Sequence, residues 1–229
     1  MANTHSLDLE ASSSQYASIT DASQSGLDIT GDMTIECWIK PESSPSSAIL
    51  VSKYGVSSYS FKLWQTSTSI ALTLTSDGAG VNSSFISHSI TVGVWQHIAV
   101  TYKASSGLVT LYINSTSTGT ATNTKTSIFN SSADFEIGSN RSGNNTYDGL
   151  IDEVRIWDDV RTATEIADNY QTELVGDEAN LQGYWRFNND YTDETSNGND
   201  LTASGSPVFS TDVPFSSAAP DNALSMSNF

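Results

Sequence analysis

One cysteine, three histidines and nine basic residues are all that this chain of 229 residues carries of the side chains most used in thiol, metal and nucleic-acid chemistry. A single Cys37 excludes an internal disulfide, and its place in the apolar string MTIECWIK reads as a buried, inert thiol. Nine Lys and Arg against 26 Asp and Glu leave a net charge of −17, which repels nucleic-acid phosphates and anionic membrane surfaces and favours cations or neutral ligands. No apolar run approaches the roughly 18 residues of a membrane span, so no membrane insertion is expected. The opening MANTHSLDLE has no basic segment leading into an apolar one, so any secretion signal of a parent protein is expected outside this stretch. No G-x-S-x-G frame for a hydroxyl nucleophile occurs.

What is present is Ser, Thr and Asn, and a period of two. Charged residues make up only 15% of the chain, a composition that suits an extracellular or cell-surface β-protein. Met33, Ile35, Cys37 and Ile39 alternate with Thr34, Glu36 and Trp38, and Pro41 closes that strand. Strands are likewise predicted over Ala48 to Tyr54, in SYSFKLWQ, from Ile70 to Thr75 and from Val81 to Ile90. WQHIAVTY and LVTLYIN, joined at Lys103 to Gly107, form the clearest hairpin. The Thr/Asn/Ser-rich segment from Ser115 to Ser132 reads as a link to DFEIGS. LQGYWRF and a last strand around Ser206 to Val213 complete the set. At this length one hydrophobic core suffices, and a single domain over residues 1–215 is expected.

The stretch Asp148 to Tyr170, DGLIDEVRIWDDVRTATEIADNY, organises the rest. Leu150 to Trp157 alternates like a strand. Asp158-Asp159 then turn the chain, and Thr162 with Glu165 three residues on form a capping box for one short helix. G-x-I-D-E-V-R-I-W followed by T-x-x-E-I resembles the signature of the laminin-G-like and pentraxin-like concanavalin A-like sandwiches. The strings SLDL, TIECWIKP, WQHIAVTY, LYIN and YWRF resemble further motifs of that group in the correct order, from about Ser6 to Val213. The resemblance implies an all-β fold, a two-sheet antiparallel jelly-roll sandwich with one short helix, and a non-catalytic module that binds carbohydrate or glycoconjugate. Adhesion within a larger surface protein, with other surface proteins as further partners, is the expected use.

Alternation also proposes where a sugar would sit. If Phe61, Leu63, Leu72, Leu74, Phe135 and Ile137 face the core, then Lys62, Trp64, Thr73 and Glu136 face out, with Asn140, Arg141, Asn144 and Tyr147 at the rim. Aromatic faces stack on sugar rings, and planar polar groups pair with hydroxyls. Trp38, Trp95, Trp157 and Trp185 lie within the family-like motifs and read as structural. For calcium, which takes six to eight oxygens, the dense candidate is the loop with Asp190, Asp193, Asn197, Asn199 and Asp200 around Gly198. The resemblance implies a structural Ca2+ near the chain ends, which adds Asp8. A pentraxin-style calcium pair is not expected, because GSNRSGNNTYD replaces the acidic cluster that subgroup carries.

Two other readings stay open. One is a structural spacer or protein-adhesion repeat without a sugar site. The other is a glucanase-type hydrolase, disfavoured because the E-x-D-x-x-E string of related laminarinase-type enzymes is missing and Asp152 and Glu153 are adjacent. Residues 216–229 read as a linker in which NALSMSN echoes NTHSLDLE, as though a following repeat began there.

Overall fold

The computed structural model describes residues 3–44, 46–140 and 143–216. Arg141 and the echo of the N-terminus in the tail lie outside the described residues. Short strands β1 (Ser6–Leu9) and β2 (Tyr16–Ile19) are joined by a 3-10 turn at Ala11–Ser13. Then come β3 (Met33–Pro41), β4 (Ala48–Tyr54), β5 (Tyr59–Gln65), β6 (Ser69–Thr75), β7 (Val81–Ser87), β8 (Gln96–Lys103) and β9 (Leu108–Ile113). The chain closes with β10 (Thr116–Thr122), β11 (Phe135–Ile137), β12 (Gly149–Trp157), helix α1 (Ala163–Asn169), β13 (Leu181–Trp185), β14 (Thr202–Ser204) and β15 (Val208–Ser210).

Every strand pairing is antiparallel, and two sheets result. Sheet A runs β10-β9-β8-β3-β12-β1-β15, with β13 beside the second half of β12. Sheet B runs β14-β2-β11-β4-β5-β6-β7. Their inner faces meet in one core, with Ile35, Cys37, Ile39, Ile98, Val100 and Ile151 of sheet A against Phe61, Leu63, Leu72, Leu74 and Phe135 of sheet B. Phe135 and Trp185 stack across the interface at 5.1 Å. Cys37 is fully buried, and burial pushes its thiol pKa far up, which keeps it inert.

Three local features depart from the alternation. β10 falls inside the expected link: Asn114 and Ser115 both take positive φ (47° and 66°), a two-residue hairpin turn that pairs the polar string TSTGTAT with β9. An edge strand exposed along most of its length has no apolar face to announce it. The last strand is two: Gly205 (φ 76°) and Ser206 (φ 59°) turn the chain, so β14 joins sheet B and β15 sheet A. In β12, Glu153 sits at φ 51° in a bulge between Asp152 and Arg155. The bulge shifts the phase, and Ile151, Val154 and Ile156 all reach the core.

Over β12, β3 and β13 the outer face of sheet A is covered. Helix α1 starts on the expected capping box, Thr162 Oγ1 accepting from Glu165 N and Glu165 Oε2 from Thr162 N at 2.8 Å. Beneath it and the segment that follows, Arg155 donates to the carbonyls of Asn169 and Thr172 and to Glu153 Oε2 at 3.0, 2.6 and 2.8 Å. Trp157 Nε1 donates to Glu36 Oε1 at 2.8 Å, Tyr184 Oη to Glu153 Oε2 at 2.7 Å, and Tyr170 stacks on Trp38. With those strands roofed over, sheet B is left to present an open surface.

Candidate ligand-binding face

The register of β4, β5, β6 and β7 sets two adjacent rows on the outside of sheet B. One row is Ser52, Lys62, Thr73 and Ser83, and the other is Ile49, Trp64, Ala71 and Phe85. Trp64 Nε1 donates to Thr73 Oγ1 at 2.9 Å, and that hydroxyl shares a hydrogen bond with Ser83 Oγ at 2.8 Å. Phe85, 53% exposed, meets the indole edge to face with centroids 5.2 Å apart. Lys62 Nζ lies 5.0 Å from the Trp64 ring and 4.8 Å from that of Tyr54, which itself stacks on Tyr59 at 4.4 Å. A cation between two rings is attracted by both quadrupoles, so lysine and indole hold one another in place. The result is an aromatic platform of fixed orientation beside an ammonium group.

Lys62 and Trp64 thus stand on the outer face, as alternation requires. Phe85, Tyr54, Tyr59 and Ser83 are the members that sequence reading missed. The signal for Phe85 was the phase of VNSSFIS: Ile86 points inward, so Val81, Ser83 and Phe85 point out. Thr73 and Glu136 belong to the outer face yet are 1% and 4% exposed. Of the 138–147 loop, Ser139 and Asn145 lie over the middle of the sheet. Ser139 Oγ donates to Glu136 Oε2, Ser52 Oγ to Ser139 O at 2.8 Å, and Ile49 N to Asn145 O at 2.9 Å.

That loop also corrects the expected rim. Tyr147 N donates to Gly138 O at 2.8 Å and pins the loop's neck, so the Tyr147 ring turns into the core with no exposure. Its hydroxyl donates to Leu150 O at 3.2 Å, and burial drives its pKa well up. Asn140, 2% exposed, exchanges backbone hydrogen bonds with Asn144 inside the loop and does not line the surface. Asn144 is exposed. The rim is therefore Asn144 without Tyr147 or Asn140.

Among the described residues no group of three or more His, Cys, Asp or Glu is placed to hold a metal ion. Asp193 is spent as a staple, its carboxylate receiving Tyr184 N and Thr195 N at 3.0 Å, Thr195 Oγ1 at 2.9 Å and Asn199 N at 2.8 Å. Asn199 is fully buried, bonded to Ser25 and Gln182, and the Asn197 amide donates to Gln182 O at 3.0 Å. Asp8 belongs to β1 in the other sheet, where burial and the nearby Asp148 raise its pKa. Of the expected ligands, Asp190 and Asp200 are exposed.

The laminin G family model described as the concanavalin A-like lectin/glucanases superfamily matches residues 11–167. The chain belongs to that superfamily. Among solved structures, this concanavalin A-like domain is similar to a candidate carbohydrate binding protein from Bacteroides ovatus, with TM-score 0.64, 16% identity and 91% of this chain covered. It spans 62% of that protein's length. A heptameric SAP-like pentraxin from Limulus polyphemus is similar with TM-score 0.57 and 13% identity over 85% of this chain and 87% of the pentraxin. The binding domain of botulinum neurotoxin serotype G has TM-score 0.51 and 20% identity over 62% of this chain and 36% of that one. At these identities the likeness is one of fold. No curated protein matches the sequence.

Glucanase chemistry in a concanavalin A-like domain needs two carboxyls facing a bound chain. Here Asp152 and Glu153, both at most 1% exposed, have raised pKa values, Asp152 through burial and the Glu153 charge, and Glu153 through burial, against which Arg155 and Tyr184 lower it. Asp152 accepts from Asn3 Nδ2 at 2.8 Å and from Glu153 N at 2.9 Å. They belong to sheet A, away from the platform.

Proposed function

We propose that this domain is a non-catalytic binding module that takes carbohydrate or glycoconjugate on the outer face of sheet B, outside the cell and as part of a larger adhesion or surface protein. The observation that carries the reading is the Trp64–Phe85 pair. A half-buried indole tied by Thr73 and Ser83 beside a largely exposed phenyl ring is a stacking surface already ordered before a ligand arrives. Preordering lowers the entropy lost on binding. Lys62 and Asn144 supply donors and acceptors beside it. The similarity of fold to a candidate carbohydrate binding protein supports the same reading.

Glycan-array binding that is lost in Trp64→Ala and Phe85→Ala at unchanged melting temperature supports the lectin. Silence of the folded domain across a broad array supports a structural spacer or protein-adhesion repeat, and product release from glucans would make it an enzyme. A structural calcium is proposed only at the Asp190 and Asp200 end of its loop. Melting in calcium and in chelator decides it, because a ligand of the native state raises the melting temperature and an unchanged curve removes the ion.

A further inference from the structure

We propose that the β2–β14 edge of sheet B carries a second ligand site, distinct from the aromatic platform, that grips one neutral sugar unit through a vicinal diol. A cavity of about 540 Å³ opens there between the sheet edge and the 195–202 segment, with the hydroxyls of Ser18, Thr20, Ser23 and Thr202 and the carboxylate of Asp200 on its walls. The volume falls within the roughly 300–1000 Å³ of small-molecule sites. Ile19 is its one apolar lining residue, and no aromatic, lysine or arginine side chain lines it. In a chain of net charge −17, a wall that carries the Asp200 carboxylate and no cation repels an anion. Thr20 Oγ1 donates to Ser23 Oγ at 2.8 Å, which leaves the Ser23 proton and the Ser18 and Thr202 hydroxyls to pair with a ligand; beside a carboxylate that accepts from two neighbouring O–H groups, they match a neutral polyol.

The wall is built rigidly. The four hydrogen bonds on the Asp193 carboxylate and those of Asn199 to Ser25 and Gln182 lock the loop, and Trp185 Nε1 anchors it through Asn199 O at 2.9 Å. Asp193 N donates to Asp200 Oδ1 at 2.9 Å, which fixes the carboxylate and leaves Oδ2 as the acceptor for a diol. At Gly198, φ 67°, the position of a Cβ meets nothing within 4 Å, so the backbone there is open to a ligand. The two sites share a row: Thr202, Ser18, Glu136, Ser52 and Lys62 are successive partners across the sheet. Ser52 and Glu136, both buried and both bonded to Ser139, divide it. A branched or extended glycan that engages both ends gains avidity with no new contact.

The test is an amide 15N–1H titration of the whole chain with the methyl glycosides of glucose, galactose and mannose and with arabinose. Saturable shifts at Ser18, Thr20, Gly198 and Thr202 with at least one of these sugars are expected, and they persist in Trp64→Ala, so failure of the platform leaves this site readable. Asp200→Asn retains an oxygen for Asp193 N but replaces the free acceptor, and weakens the sugar about tenfold, the worth of one charge-assisted hydrogen bond. Ser18→Trp, which fills the cavity from an outward-facing position, abolishes the shifts. Absence of shifts at those four amides with all four sugars overturns the site. So do shifts indifferent to both substitutions, or shifts that appear only with added calcium.

Discussion

The Trp64 indole nitrogen lies 2.9 Å from Thr73 Oγ1, and this one bond sets the direction in which the exposed aromatic surface faces. Thr73→Val keeps the shape and removes the acceptor. Folding should lose about 1 kcal/mol, and glycan affinity should fall several-fold as the ring regains freedom. Isothermal titration with an array-positive glycan, together with a urea melt, separates the two effects. Unchanged affinity would mean that the orientation of the indole does not matter.

Gly149 opens β12 at φ 132°, and a Cβ there would run into Lys40 O and lie 2.8 Å from Glu42 N. Both obstacles are backbone of the neighbouring strand and cannot swing aside. Gly149→Ala should cost about 2–3 kcal/mol through strain at a conformation that glycine alone adopts freely. A shift in the urea midpoint at constant slope measures it.

Arg155 is 1% exposed and ties Glu153 to the carbonyls of Asn169, the last residue of α1, and of Thr172 beyond it. Arg155→Ala strands the Glu153 charge in the interior, which should destabilise the fold by about 3–5 kcal/mol. Hydrogen exchange should show the residues 163–175 losing protection first. Loss confined to the sheet edges instead would separate Arg155 from the roof over sheet A.

His97 is fully enclosed near Glu36, Arg155, Trp38 and Tyr170. Burial holds its pKa below the ordinary value; Glu36 raises it by hydrogen bonding and charge, and Arg155 lowers it further. The unfolded chain binds the proton first as pH falls below about 6.5, so this contribution to stability is complete above that value and shrinks beneath it. Asp152 and Glu153, whose raised pKa values act in the opposite sense, are common to wild type and His97→Gln. The difference between the two proteins' urea midpoints, followed from neutral pH into the acid range, should therefore narrow or reverse below about pH 6.5. A difference that does not vary with pH would contradict the assignment.

Lys62 and Trp64 were legible because β5 is a regular strand whose inner neighbours, Phe61 and Leu63, are unmistakably apolar. Phe85 was passed over because it stands alone in a polar edge strand, and Tyr54 because its outward turn depends on register irregularities beside it in β4. Tyr147 and Asn140 were placed outside because a Gly- and Asn-rich loop carries no period. The Tyr147 N to Gly138 O bond fixes the one, and the paired backbone bonds between Asn140 and Asn144 fix the other.

Sequence alone determined most of the strands, the capped helix after β12 and the inert cysteine, each from local periodicity or a short-range hydrogen-bond pattern that a few neighbouring residues specify. The two-layer sandwich was what the family resemblance implied. Tertiary structure decided which outer face stays open, which aromatics share it, that Asp193 closes a loop, and that a hydroxyl-lined cavity forms at the β2–β14 edge. Those outcomes depend on strand order, on bulges and on contacts that a period of two does not carry: Asp193 bonds across its own loop, Trp64 meets Thr73 and Phe85 on neighbouring strands, and Thr202 reaches Ser18 across nearly the whole chain.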